Sequence, residues 1–483
     1  MLRYLNSSYL LLWNYLGVGY VFQNNWYRNS YYIIKDQKSL DIKVNQGIMD
    51  SKKLLLNNRQ EQVRKGLLIN NDDIAQDDRF QKFEKMALSP YAFFRGSNHL
   101  YWEDIYNDWR ISFFGGVEET LTWINGDAHV YNYGAYANHY GQAIFCMDDF
   151  DDSIVADYQF DLWRMAISIV LDCRDKGVFN AVQQHKALQV FSEAYLEEMR
   201  NHKRDDPSYE VHMTKQTADG LLGDFLTKVE RKRSRAKMLR KWTKVVDEVR
   251  KFDADSKKLE LLPKRQYKKI EQSILRYQQE VASILSVEPS HFQIKDIIRR
   301  VKAGTGSLGC DRYYVLLEGD TNSQEDDIIL DVKEQGRPPL YAHMNEKEQA
   351  EYRTAFPNEG MRHASAYQAL AEHPDRYLGW VSIDEIVFSI RERSPFKSDF
   401  PTEKLLQEQD LYFMSNAWGS ILAARHKRAS YKLNDQANLM PNYFAEQLAG
   451  REEQFVQLVT SVAFQYADCV AQDYQYLLRM IQD

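Results

Sequence analysis

Gly304-Thr305-Gly306-Ser307-Leu308-Gly309 runs into Arg312-Tyr313-Tyr314-Val315-Leu316-Leu317, and the step between the two stretches decides the fold. Glycines at this spacing let backbone amides approach phosphate oxygens without side-chain obstruction. A dinucleotide-binding fingerprint would place a helix directly after them. Here the β-branched and aromatic run that follows reads as a strand, and strand character also begins just before, at Ile294. The glycines are therefore expected in a β-hairpin that covers phosphates, with Gly304, Gly306, Ser307 and Gly309 as its phosphate-facing positions.

Downstream, Gly319 to Ser323 is a turn and Asp327 to Val332 a further strand. Strand alternation puts Ile328, Leu330 and Val332 on one face and Ile329, Asp331 and Lys333 on the other. Lys333 thus becomes a candidate to reach the α- and β-phosphates of a nucleotide. A snorkelling strand lysine is the plain alternative, and the position after a glycine hairpin argues against it. Val381 to Arg393 extends the β-rich section, and the chain turns helical again from about Glu403.

Upstream lies Gly126-Asp127-Ala128-His129-Val130-Tyr131-Asn132-Tyr133-Gly134. Asp127 and Asn132, five positions apart in a loop, divide two tasks between them: orienting a hydroxyl nucleophile, and supplying an oxygen ligand to a metal. Taken alone, Asp and Asn in a loop are turn formers. Support comes from Phe145-Cys146-Met147-Asp148-Asp149-Phe150-Asp151-Asp152, an apolar approach into four carboxylates. That many like charges near a core call for a cation, and hard oxygen ligands suit Mg²⁺. Asp149 and Asp151 join Asn132 as candidate metal ligands, against the alternative of a solvated acidic turn. His129 is a second candidate for the catalytic loop, with a structural hydrogen bond as its plain reading.

These parts together are what ATP-dependent phosphoryl transfer requires, but their order is inverted, because the glycine loop and lysine follow the catalytic Asp. A circular permutation restores the order without changing the fold. The expectation is an α+β, two-lobed, protein-kinase-like fold, circularly permuted, with a small β-rich lobe inserted late in the chain and a large helical lobe. The divisions are an N-terminal extension over 1–77, a first helical part over 78–293, a nucleotide-binding β-rich lobe over 294–395, and completing helices over 396–483. In the first part Leu162, Met165, Ala166, Ile169 and Val170 form the stripe of a core helix. The basic stretch within about 205–290 reads as a solvated helical insertion.

Composition agrees with a globular chain: 483 residues, 44% hydrophobic and 27% charged. A net charge of −7 argues against wholesale nucleic-acid binding and leaves local basic patches open. Cys146, Cys173, Cys310 and Cys469 are too scattered for a zinc site or disulfide framework, which fits a reducing, cytoplasmic compartment. Tyr9 to Phe22 is apolar but short and interrupted by Asn14, so no transmembrane span is expected, and the segment reads as a peripheral docking strand or an overextended start of the reading frame. Residues 1–70 carry little commitment to structure, and Asn70-Asn71-Asp72-Asp73 reads as a loop.

Several strings resemble a bacterial family catalogued as domain of unknown function 2252: Met86 to Gly96 (MALSPYAFFRG), then GDAHVYNYG, DDFDD, FDLWRMAIS, AGTGSLGCDRYYVLLEG, DVKEQ, YLGWVS, SIRERSPFK and Leu422 to His426. The resemblance covers roughly residues 75–430. It implies kinship with protein-kinase-like and aminoglycoside-phosphotransferase-like folds. It also implies that Asp127 resembles the catalytic Asp, Asn132 the metal-binding Asn, Asp149 with Phe150 the metal-binding Asp-Phe pair, and Asp161 the residue opening the helix that buttresses the catalytic loop. The departures are Asn125 where a His often precedes Gly-Asp, and Ser365-Ala366-Tyr367 where the family more often carries Glu-Gly-Gln. The acidic partner of Lys333 is open between Glu348 and Glu359.

Arg95 is read as a buried arginine paired with a carboxylate, with an anion-facing role as alternative. Arg391, Glu392 and Arg393 end a strand, with both arginines on one face, and read as members of a structural ion pair with carboxylates, and Trp163 reads as core. The functional expectation is a phosphotransferase using ATP and Mg²⁺ on a small-molecule or protein acceptor. The alternatives are nucleotidyl transfer, a nucleotide-binding pseudokinase or regulatory scaffold, and a metal-dependent hydrolase built on His129 and the carboxylates.

Overall fold

The computed structural model describes residues 47–482 except 139–140, 202–210, 286–292, 302–308, 320, 322, 372–373, 375 and 434–438. Gly304, Gly306 and Ser307, and the segment Tyr9 to Phe22, lie outside the described residues. In chain order the elements are α1 (Gly47–Ile69), α2 (Gln76–Met86), α3 (Pro90–Gly96), α4 (Asn98–Ile105), β1 (Leu121–Ile124), β2 (Tyr133–Ala137), β3 (Ala143–Met147) and β4 (Ile154–Asp157). Next come α5 (Gln159–Lys176), α6 (Ala181–Arg200), α7 (Gly220–Lys232), α8 (Arg235–Trp242), β5 (Thr243–Val246), β6 (Val249–Phe252), β7 (Leu259–Glu260) and α9 (Lys264–Leu285). The strands β8 (Ile294–Arg300), β9 (Arg312–Leu317) and β10 (Ile328–Glu334) precede α10 (Glu346–Ala355) and α11 (Glu359–Leu370). The chain ends through β11 (Gly379–Ile383), β12 (Ile386–Glu392), β13 (Ser398–Asp399), α12 (Glu408–Leu433), α13 (Leu439–Gln447) and α14 (Glu452–Gln482). The result is a mixed α+β architecture with several antiparallel sheets.

The largest core forms around α5, in which every residue from Gln159 to Cys173 is buried. The apolar stripe read from the sequence lies here, and Trp163 is fully buried with it. Helices α6, α12 and α14 pack beside it. Gly419 lets α12 touch α6, since a Cβ there would stand 2.3 Å from the Phe191 carbonyl oxygen. Near this core, β1 pairs with β4, and β13, β2 and β3 form a small sheet.

The second body of structure is a six-stranded sheet in the order β11-β12-β10-β9-β8-β7, antiparallel at each pairing. The two-residue alternation decides what covers each face. Leu330 and Val332 of β10, with Val315 and Leu317 of β9, join Ile270, Ile274 and Tyr277 of α9 on one face. Ile329, Tyr314 and Leu316 join Met238, Leu239 and Trp242 of α8 and Phe252 of β6 on the other. Lys333 shares this second face, as its alternation predicts.

Two expectations change. The region about 205–290 is not a solvated insertion: it supplies β7 at the sheet edge, α9 on one face, and α8 with the β5–β6 hairpin on the other. Residues 47–69, read as uncommitted, form a helix in which Val63 and Leu67 are fully buried, while Asn70 to Asp73 is a loop as expected. Among the described residues no helix is long and apolar enough to cross a membrane.

Candidate functional site

The loop after β1 is fixed from beneath by the first turn of α5. Asp161 accepts the backbone amides of Asn125 at 2.5 Å and Gly126 at 2.9 Å, and His426 of α12 approaches the same carboxylate at 3.2 Å. Gly126 has a φ of +80°, and a Cβ there would fall 2.1 Å from the Asp152 carbonyl oxygen, so the position accepts no side chain. Its own carbonyl is held by Asn98 at 3.0 Å and Trp102 at 3.2 Å. One helical turn beyond Asp161, Arg164 donates to Asp127 Oδ1 through Nε at 2.7 Å and also through its NH2 group. Burial raises the Asp127 pKa, and the Arg164 guanidinium works against that rise.

His129 Nε2 lies 3.6 Å from Asp127 Oδ2 and accepts from Arg95 Nε at 3.4 Å. Burial, with Arg95 and Arg164 nearby, holds its pKa well below the usual histidine range, so the ring is neutral. Arg95 itself is exposed to the cleft, stacked over Tyr131 at 4.9 Å, and forms no salt bridge among the described residues, which corrects its reading as a buried ion-paired arginine. Asn132 donates its amide to the Asp127 carbonyl at 2.8 Å and to Asn125 Oδ1 at 3.3 Å. Both bonds use Nδ2, which leaves the side-chain oxygen as its ligating atom.

The four carboxylates after β3 separate according to partner. Asp148 pairs with Lys397 at 2.5 Å, Asp151 forms an ion pair with Lys333, and Asp152 accepts from Asn98 at 2.9 Å. Asp149 has no salt bridge among the described residues; its backbone carbonyl is bound by the Asn125 side chain, which so joins the two loops. Burial raises the Asp149 pKa, and the neighbouring Asp151 charge adds to it. Burial works against ionisation of Asp151 too, but Lys333 with His363 and Arg391 holds it well below the carboxylate range. Burial, reinforced by Asp127, pushes Asp152 up to about 7.

Asp151 is therefore the acidic partner of Lys333, a role for which Glu348 and Glu359 were the candidates. Glu348 is occupied in the cap of α10 and Glu359 by Tyr352 and Arg362. Gln335 adds a bond to Asp151 at 3.1 Å. Fully buried Arg362 of α11 ties the acidic loop to the chain after β10, donating to the carbonyls of Ser153 at 2.6 Å, Asp151 at 2.7 Å and Gly336 at 3.1 Å. Phe150 packs edge-on against Tyr367 of the same helix at 4.9 Å.

Asp127, Asn132, Asp149, Asp151 and Lys333 line one cleft of about 1160 Å³. Gly309 has a φ of +87° in the turn that enters β9. Among the described residues no three His, Cys, Asp or Glu side chains gather as a ready-made metal cage. The donor set still fits Mg²⁺, which keeps several waters and takes one or two carboxylates plus substrate phosphates. Asp149, lacking a salt-bridge partner, and the Asn132 oxygen are the atoms suited to it.

The fold and cleft define a mixed α+β protein whose helical core and antiparallel sheet share a deep charged cleft. The chain belongs to the family described as an uncharacterized protein conserved in bacteria (DUF2252), which matches residues 77–480. No curated protein and no solved structure matches it. Sequence reading missed Arg164, Arg362 and the bridging role of Asn125. Arg164 left one signal: an arginine inside the apolar stripe of a core helix needs a buried carboxylate partner.

Proposed function

We propose that the chain is a two-lobed, kinase-like phosphotransferase in circularly permuted order, using ATP and Mg²⁺ on a hydroxyl acceptor. The observation that carries the reading is the meeting of Lys333 with Asp151 across 182 positions of sequence, in the cleft that also holds Asp127. Lys333 is kept charged there: burial would lower its pKa, but Asp151 and Asp149 raise it. On ATP binding it exchanges Asp151 for the α- and β-phosphates. Asp149 and Asn132 would hold Mg²⁺, which would supply neutralising charge for the phosphates. Asp127, with Oδ1 engaged by Arg164, presents Oδ2 to orient the acceptor hydroxyl, and neutral His129 stands beside it.

A second reading, a nucleotide-binding scaffold with little turnover, draws on that same Arg164–Asp127 pair, since a guanidinium makes a carboxylate a weaker base. Both readings require the nucleotide site. Lys333→Met is expected to weaken Mg²⁺-ATP binding by about ten- to a hundredfold, the usual effect of removing one charge-assisted hydrogen bond. Equilibrium titration measures this, and unchanged affinity in the folded variant contradicts the role of Lys333.

A further inference from the structure

Nucleotide binding leaves much of the cleft's charge unused. Its walls carry fifteen lysine and arginine side chains against six aspartate and glutamate, in a chain whose net charge is −7. The excess concentrates on the sheet face covered by α8. Lys241 Nζ lies 5.2 Å from the Trp242 ring centre, and the guanidinium carbons of Arg300 and Arg393 each lie 5.3 Å from it. Among the described residues none of these three cations has a salt bridge, although each lines the cleft. Arg393 Nε is buried without a hydrogen-bond partner among the described residues. Asp331, the nearby carboxylate on β10, is occupied by Arg312, whose Nε donates to it at 2.6 Å. Lys241 has its pKa lowered, first by burial and then by the like charges of Lys258, Arg233, Arg393 and Arg300.

We propose that Lys241, Arg300 and Arg393 form a second anion site, which takes a phosphate group already present on the acceptor. The acceptor is then a small phosphorylated molecule with a free hydroxyl; calling it the acceptor rests on the phosphotransferase reading, whereas the anion site does not. Three cations with no salt bridge among the described residues match a dianionic phosphate better than a single carboxylate, and guanidinium groups bind phosphate oxygens in pairs. The site is distinct from the nucleotide phosphates. The Arg393 amide bonds to Ile329, four residues from Lys333 along β10, so the two positions are roughly 13 Å apart at strand rise. A phosphate there and a triphosphate at Lys333 occupy different ends of the cleft. Trp242 is nearly fully buried, and the three cations around it line the wall of the cleft, whose volume of about 1160 Å³ suits a small polyanion.

Inorganic pyrophosphate, titrated calorimetrically without Mg²⁺, is the probe. Wild type is expected to bind it, and Arg337→Gln, which removes an exposed cleft cation outside the trio, to bind it with similar affinity. Lys241→Gln and Arg393→Gln are each expected to bind it about tenfold more weakly, because each removes one charge-assisted hydrogen bond to the anion. The Lys241 side chain is exposed, so its glutamine variant keeps the fold. No pyrophosphate binding by wild type, or unchanged affinity in Lys241→Gln and Arg393→Gln, overturns the site. Weakening confined to Lys333→Met also overturns it while sparing the nucleotide site. Binding that depends on Lys241 and Arg393 in a protein indifferent to Mg²⁺-ATP keeps the anion site and removes the phosphotransferase reading. A short single-stranded oligonucleotide that displaces pyrophosphate at far lower concentration overturns the small-molecule acceptor.

Discussion

Asp127→Asn is expected to lower Mg²⁺-dependent phosphoryl transfer by about 10²–10⁴-fold, the range for a positioned acid–base group, while ATP still raises the melting temperature. The separation follows from the geometry. Asp127 meets Arg164 and His129, whereas the residues assigned to phosphates and metal are Lys333, Asn132 and Asp149. Asparagine keeps an oxygen for Arg164 and preserves the loop, which is fixed by Asp161 rather than by the Asp127 side chain. Basal ATP hydrolysis, followed beside thermal shift, reads both quantities. Full turnover in the variant contradicts the assignment of Asp127. A wild type that binds Mg²⁺-ATP without turning it over moves the account to the scaffold reading.

Arg362→Met is expected to cost about 3–5 kcal/mol of folding stability, the range for breaking a buried ionic network by removing one partner. The variant leaves the carbonyls of Ser153, Asp151 and Gly336 without their donor and strips Glu359 of its nearest cation. Methionine fills much of the volume, so the destabilisation reports polar interactions rather than a cavity. Arg337→Gln is the matching control, because Arg337 is largely exposed and stands 3.8 Å from the same Glu359. It is expected to change stability by less than about 1 kcal/mol. Urea unfolding distinguishes them, and equal effects of the two substitutions contradict the role given to Arg362.

Local periodicity made part of this fold legible. The stripe from Leu162 to Val170 and the alternation from Ile328 to Lys333 are written in neighbouring residues, and both elements form as read. The β5–β6 hairpin was hidden because its turn uses Asp247 and Glu248 at φ of 48° and 63°, where Asn-Gly or Asp-Gly is the usual signal. Helix α9 was taken for a solvated helix because Ile270, Ile274 and Tyr277 form a narrow apolar line amid many charges. At the site, residue types were legible and pairings were not. Asp151 looked like one more carboxylate in an acidic run, and a partner 182 positions away leaves no spacing to read. The charge crowding around Trp242 was equally hidden, since α8, β8 and the end of β12 bring its cations together from three separate segments.

Thermal stability of the wild type and Asp149→Ala, with Mg²⁺ and with or without ATP, decides whether the cleft holds a nucleotide. A ligand that binds only the folded state raises its melting temperature by mass action. A Mg²⁺-dependent rise with ATP is expected in the wild type and a much smaller one in Asp149→Ala, which removes the carboxylate that has no salt bridge among the described residues. No rise in folded wild-type protein at millimolar ATP, or an undiminished rise in the variant, would contradict it.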